Sequence, residues 1–123
     1  MRHLITVVED NPDNRLLIRV LLSDSYDVIE CVDGFEAVAQ IPQAPPSLVL
    51  LDVSLPGMDG LQVLKTLRAI PALDSVPILA LTAHAMSGDR ERFLAAGFDD
   101  YVSKPIVDEQ LLFEAIARHL PSA

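Results

Sequence analysis

The sequence predicts an α/β domain built on a doubly wound, five-stranded parallel sheet with five helices. Two features predict it. Short apolar runs alternate with segments of helical periodicity from one end of the chain to the other, the pattern of repeated strand–helix units. The third apolar run, Ser47 to Leu51, has no polar face, as a central strand covered by helices on both sides requires. A length of 123 residues, half of them apolar, fits one such domain over 1–123 and leaves no material for a second.

The elements follow in order. His3 to Val8 is the first strand. Asn11 offers a helix N-cap and Pro12 suits the first helical position. Leu16, Leu17, Val20 and Leu21 recur at helical spacing in that first helix. Tyr26 to Cys31 reads as the second strand. Asp33 caps the second helix, and Glu36 is placed to complete a capping box. Pro42 ends that helix, and Pro45 and Pro46 mark the loop before the third strand. Asp59 and Gln62 form another capping box, with Leu61, Leu64 and Leu67 as the buried stripe of the third helix. Pro71 and Pro77 bracket a loop, and Val76 to Leu81 is the fourth strand. A fourth helix runs from about Ser87 to Ala96, with Gly97 as its C-terminal stop. Asp99 to Val102 is a short fifth strand. The last helix starts near Asp108 and ends at His119 or Leu120, before Pro121.

Composition narrows the function. The net charge of −9 argues against DNA or RNA, whose backbones require clustered Lys and Arg, and against anionic membranes. No apolar run is long enough to span a bilayer, and the start MRHLITVVEDN lacks the long apolar region of a secretory signal. Cys31 is the single cysteine and sits in an apolar stretch, so it reads as a buried structural thiol in a reducing compartment. The expectation is a cytoplasmic protein.

In open parallel sheets, ligands bind beyond the carboxyl ends of the strands. Glu9 and Asp10 follow the first strand, Asp52 the third, Thr82 the fourth, and Lys104 and Pro105 the fifth. Three crowded carboxylates repel one another, and a divalent cation relieves the conflict. Hard oxygen ligands in an open site suit Mg2+, which keeps several waters and takes phosphate oxygens. A carboxylate such as Asp52 can serve as a nucleophile and form an acyl phosphate. A metal on one side and the Lys104 ammonium on the other would balance charge on the transferring oxygens. A cis Lys104–Pro105 bond would fix a tight turn and aim the lysine. The Thr82 hydroxyl can hydrogen-bond a phosphoryl oxygen. Tyr101, on the fifth strand, reads from its position as a core residue.

The stretches Glu9-Asp10-Asn11, LLDVSLPGMDG from Leu50, ALTAHAM from Ala80 and AAGFDDYVSKPI from Ala95 together resemble the response-regulator receiver domains of two-component systems, of which the chemotaxis regulator is the best-known member. The resemblance covers essentially the whole chain. It implies the flavodoxin-like strand order 2-1-3-4-5. It implies that Asp52 is the phosphoacceptor in a signal-transduction phosphorelay. Asp10, Asp52 and the Ser54 carbonyl would bind Mg2+ directly (Mn2+ could substitute), with Glu9 helping through water or at longer reach. Lys104 would contact the phosphoryl group, Thr82 would swing toward it, and Tyr101 would turn inward behind it. The implied partners are a histidine kinase or histidine phosphotransfer protein upstream. Downstream, a protein target would dock on the face of the fourth helix, fifth strand and fifth helix. The domain would act as a monomer or weak homodimer and carry no enzyme activity beyond its own phosphorylation and dephosphorylation.

Some positions depart from the family pattern. Glu9 stands where Asp is commonest. Ser54 and His84, two residues beyond Asp52 and Thr82, occupy positions that vary in the family and tune phosphoryl lifetime. His3 and His119 have no partners at ligand spacing and read as incidental. Three rival functions are weaker on the residues. An aspartyl-nucleophile phosphatase would carry an acid at position 54. A flavin module needs a Ser/Thr/Gly-rich phosphate loop, where Glu9 and Asp10 would repel the phosphate. A partner-binding module that has lost phosphorylation would not need Asp10, Asp52, Thr82 and Lys104 together. Met1 just before the first strand and the short tail after Leu120 favour a single-domain regulator; a receiver fragment of a hybrid histidine kinase is the alternative.

Overall fold

The computed structural model describes residues 2–83, 89–104, 106 and 108–120. The apolar runs become β1 (Leu4–Val8), β2 (Asp27–Cys31), β3 (Leu48–Asp52), β4 (Ile78–Thr82) and β5 (Asp100–Ser103). Between and after them lie α1 (Pro12–Leu22), α2 (Gly34–Gln40), α3 (Gly60–Arg68), α4 (Asp89–Ala96) and α5 (Glu109–His119), with a 3-10 turn at Pro71–Leu73. All strand pairs are parallel and the order is β2-β1-β3-β4-β5, as expected. The register sets Val8 beside Leu51, Asp52 beside Leu81, and Thr82 beside Ser103, so the carboxyl ends of these strands fall along one edge.

Alternation along the strands splits the core into two layers. Val8, Val49, Leu51, Ile78 and Ala80 face α2, α3 and α4, where they meet Ala37, Val63, Leu64, Leu67 and Phe93. Ile5, Val7, Leu48, Leu50, Leu79 and Leu81 face α1 and α5, where they meet Ile18, Leu22, Leu112 and Ile116. Every residue of β3 is buried, which is why its sequence lacks a polar face. Cys31 is buried in the first layer, and burial with the nearby Glu36 and Asp33 carboxylates pushes its thiol up to about 11. It stays a neutral, structural thiol.

The helix starts were legible, with one correction. The Asn11 side chain accepts from the N–H groups of Asp13 and Asn14, and the Asp59–Gln62 capping box is complete in both directions. The Asp33 side chain accepts from Glu36 N–H, but the Glu36 carboxylate takes Val32 N–H at 3.2 Å instead of the Asp33 N–H. That capping box is therefore only half made. Gly97 stops α4 with φ 118°, a backbone state that L side chains rarely adopt. The expected helix start at Ser87 lies outside the described residues.

The buried face of a helix needed the structure to be assigned. In α1, Leu16, Leu17 and Val20 are 48%, 39% and 63% exposed, while Ile18 and Leu22 are buried. From Leu16 to Leu22 this helix is apolar on nearly every side, so spacing alone could not select the face that the sheet covers. In α3, Leu61 is exposed and Val63 joins Leu64 and Leu67 inside.

The end of the sheet opposite the carboxyl edge is tied by charge. Asp99 accepts from Arg68 at 2.7 Å and from Ile78 N–H at 2.8 Å. Asp100 pairs with Arg118 at 2.9 Å and with His119 Nε2 at 3.1 Å. His119 thus has a structural partner, and His3 Nδ1 meets Ser47 Oγ at 3.0 Å. Burial pushes the Asp100 carboxyl up, but Arg118, Tyr101 N–H and His119 outweigh it and hold it below its ordinary value.

Ile18→Ala should cost about 2–5 kcal/mol of stability in urea unfolding. Leu17→Ser should change stability by no more than about 0.5 kcal/mol. The reverse ranking would mean that α1 packs on its other face. Because the folded pKa of Asp100 is depressed, its contribution is present above 3.8 and lost as pH falls through the folded value. Acid unfolding profiles of wild type and Asp100→Asn should therefore diverge above that value and converge below it.

Candidate functional site

The site grows out of the strand ends. Backbone bonds carry the ladders one step past the strands: Glu9 N–H to Cys31 O at 3.1 Å, Val53 N–H to Leu81 O at 3.0 Å, and Lys104 N–H to Thr82 O at 2.7 Å. The backbones of Glu9 and Lys104, and of Val53 next to Asp52, are thus fixed by neighbouring strands before the side-chain contacts are counted. The loop after Asp52 folds back beneath it. A Cβ on Gly60 would sit 2.4 Å from the Asp52 carbonyl oxygen and 2.7 Å from Val53 Cα, so only glycine permits α3 to start there.

Glu9, Asp10 and Asp52 each offer a carboxylate oxygen, and the three lie within 4.8 Å of one another. Glu9 and Asp52 are 0% and 1% exposed, whereas Asp10 faces solvent. Lys104 Nζ lies 3.0 Å from Glu9 Oε1 and 2.9 Å from Asp52 Oδ2. The other oxygens are also engaged. Asp52 Oδ1 accepts Ser54 N–H at 2.9 Å, and Glu9 Oε2 accepts Asn11 N–H at 3.1 Å. Asn14 Nδ2 donates to Glu9 Oε1 at a longer 3.4 Å. Burial disfavours the charge on Lys104, but its bonds to Asp52 and Glu9 outweigh that and raise its pKa above the ordinary lysine value. The ammonium is held charged between two buried carboxylates.

Thr82 ends β4 and is buried. Tyr101 is half-buried on the α4 side, its ring 6.0 Å from Phe93 at 45°. Ser54 is exposed on the loop that follows Asp52. The structure therefore brings Glu9, Asp10, Asp52, Ser54, Thr82 and Lys104 to one edge, with Tyr101 beside them on β5. His84 and Pro105, and with them the Lys104–Pro105 bond, lie outside the described residues. Two neighbours went unforeseen, Asn14 behind Glu9 and Arg15 behind the acidic pair. Arg15 Nη1 donates to the carbonyls of Glu9 and Asp10 at 2.9 and 3.0 Å. Their signal was faint: two of the three polar residues that follow Pro12 at the start of α1.

Lys104→Met would leave two buried carboxylates without a cation, and should cost about 3–5 kcal/mol in urea unfolding at neutral pH. Adding Asp52→Asn should recover much of that loss, since the two sites couple; simple additivity would show that the ion pair is unimportant. The raised lysine pKa makes its contribution complete below 10.5 and lost as pH rises through the folded value.

The comparisons with known proteins agree with this geometry. The family model described as "Response regulator receiver domain" matches residues 5–117. The chain is 38% identical over 120 residues to the signal transduction histidine-protein kinase BarA of Escherichia coli, covering 97% of this chain but 13% of that protein. It therefore spans about an eighth of that kinase's length. An uncharacterised 14.6 kDa protein of Leptolyngbya boryana is 36% identical over 109 residues, covering 88% of this chain and 83% of that one. Among solved structures, the receiver domain of the sensor histidine kinase PA1611 of Pseudomonas aeruginosa superposes with a TM-score of 0.89 at 36% identity, covering 99% of this chain and 100% of that one. That structure has a magnesium ion coordinated in its active-site cleft. No described helix here is long and apolar enough to cross a membrane. The matched span, the strand order and the acidic edge all belong to one family, and this chain is a member of it: a response regulator receiver domain of two-component signalling.

Proposed function

We propose that residues 1–123 act as one phosphoacceptor switch, with Asp52 as the residue that carries the phosphoryl group. The observation that carries the reading is the buried Asp52 carboxylate, 2.9 Å from the Lys104 ammonium and grouped with Glu9 and Asp10. The donor set fits a hard divalent cation. Three carboxylates within 4.8 Å, one of them open to solvent, suit Mg2+, and Mn2+ would substitute. Asp10, Asp52 and the Ser54 carbonyl would hold it, with Glu9 acting through water. When bound, it would neutralise charge on the phosphoryl oxygens.

The donor is a phosphohistidine on a histidine kinase or a histidine phosphotransfer protein. An Asp52 oxygen attacks the phosphorus; the new O–P bond forms as the P–N bond breaks, the departing ring nitrogen keeps the electron pair of that bond, and a proton on the other ring nitrogen makes the leaving group a neutral imidazole. Lys104 already stands at Asp52 and stabilises the charge that develops. Thr82 then donates its hydroxyl to a phosphoryl oxygen and Tyr101 turns inward behind it. These contacts are made only in the phosphorylated state, so they shift the balance of conformations on the α4–β5–α5 face, where a protein target docks. Ser54, where an aspartyl phosphatase would carry its acid, keeps the chemistry at acceptance rather than turnover of phosphate esters. The reading is the same whether the receiver acts alone, as the length of the Leptolyngbya relative suggests, or within a kinase like BarA.

Incubation with Mg2+ and a small acyl phosphate should add one phosphoryl mass to the intact protein. Asp52→Asn, or removal of Mg2+ with chelator, should abolish the adduct. Persistent labelling of Asp52→Asn at the same site would overturn the assignment. Failure of folded wild type with both small donor and kinase would point to a partner-binding module instead.

A further inference from the structure

Arg15 lies in the first turns of α1, directly behind the acidic pair. One of its terminal nitrogens donates to two successive carbonyls, those of Glu9 at 2.9 Å and Asp10 at 3.0 Å. Its Nε faces Glu30 Oε1 on β2 at 3.7 Å, and the other Glu30 oxygen takes Arg19 Nη1 at 3.1 Å. The Arg15 and Glu30 side chains are only 18% and 24% exposed, so solvent screens this chain of contacts weakly.

We propose that Arg15 is a positioning residue for the cation site: by clamping the Glu9 and Asp10 carbonyls it fixes the direction in which the Asp10 carboxylate leaves the β1–α1 loop. The inference rests on the proposed function, since it takes the acidic edge as the seat of Mg2+. Glu9 is buried and held by Lys104 and Asn11, so packing and hydrogen bonds settle its side chain. Asp10 is exposed, and no such packing settles it. Its direction follows from its backbone, whose carbonyl Arg15 holds. Glu30 is shared between the Arg15 and Arg19 guanidiniums and holds the far side of the clamp in place without cancelling its charge. The planar fork matters as well. A lysine could supply the charge but not the simultaneous reach to two carbonyls and Glu30.

This assignment predicts a sign that a purely electrostatic role would reverse. Deleting a cation near a metal site should tighten metal binding if charge alone mattered. Deleting a clamp should weaken it, on the order of tenfold for an outer-layer partner. The experiment is a Mg2+ titration of the full chain followed by the amide resonances of Asp10, Asn11 and Val53. Wild type is compared with Arg15→Met, Arg15→Lys and Glu30→Gln. Both Arg15 variants should bind Mg2+ about tenfold more weakly, with Glu30→Gln shifted less in the same direction. Phosphoryl acceptance by the Arg15 variants should recover at saturating Mg2+. Unchanged or tighter Mg2+ binding in folded variants overturns the clamp. If Arg15→Met does not fold, Arg15→Lys, which keeps the charge and loses the clamp, decides by the same criterion. Wild type that shows no Mg2+ response would instead refute the cation site, and the clamp with it.

Discussion

Two carboxylates with almost no exposed surface, Glu9 and Asp52, share one ammonium from Lys104. Taking one ion out of water costs several kcal/mol, and two like charges close together add to that. A lysine alone does not settle such an account. The remaining donors come from the backbone at Ser54 and Asn11 and from the amide of Asn14, so each carboxylate oxygen meets at least one hydrogen. Among the described residues, no buried side-chain nitrogen or oxygen lacks a partner. The site is therefore a fully satisfied polar network set into an apolar sheet edge, which makes its geometry unforgiving.

Much of the surrounding fold follows from keeping that network in place. Glu9 accepts the Asn11 N–H just where Asn11 caps α1, so the start of that helix and the acidic pair are one structure. Gly60 brings the start of α3 against the Asp52 backbone, where any side chain would collide. The Lys104 N–H bonds the Thr82 carbonyl, so the ends of β4 and β5 move together. Lys104 meets Asp52 through its side chain and Thr82 through its backbone N–H, so it links the buried carboxylate to the ends of both strands. On the proposed reading, this is how a single covalent event reaches the α4–β5–α5 face.

The sequence disclosed the sheet and the edge because both rest on patterns with one physical meaning. A short, wholly apolar run such as Leu48–Leu51, preceded by Pro45 and Pro46, fits a strand covered on both faces, and polar residues immediately after such runs fall at the ligand-binding edge. Cap residues were equally direct, since Asn11 and Asp59 satisfy donors that the helix itself cannot. What failed was the choice of face. In α1 the apolar positions run almost all round, and the structure buries Ile18 while leaving Leu16 and Leu17 exposed. The capping box at Asp33 failed by a single residue, because Glu36 can reach either of two adjacent N–H groups. Arg15 and Asn14 escaped notice because their task depends on facing the acidic loop across a turn, which spacing does not encode.

Glu9 shows why a conservative-looking departure needs the structure to be understood. A shorter acid at this place is commoner in the family, and the added methylene suggested a slightly longer reach to a metal. In the structure the extra length is spent on Lys104. Glu9 Oε1 stands 3.0 Å from the ammonium, and its other oxygen is held by Asn11 N–H. Both oxygens face protein donors, and the side chain is fully buried. Asp10 is the exposed acid of the pair. On the proposed reading the acidic pair divides its labour: Glu9 fixes the lysine that faces the phosphoryl group, and Asp10 holds the metal. Glu9 would then contribute to cation binding chiefly by adding negative charge, which acts through an intervening water as well as through a direct bond.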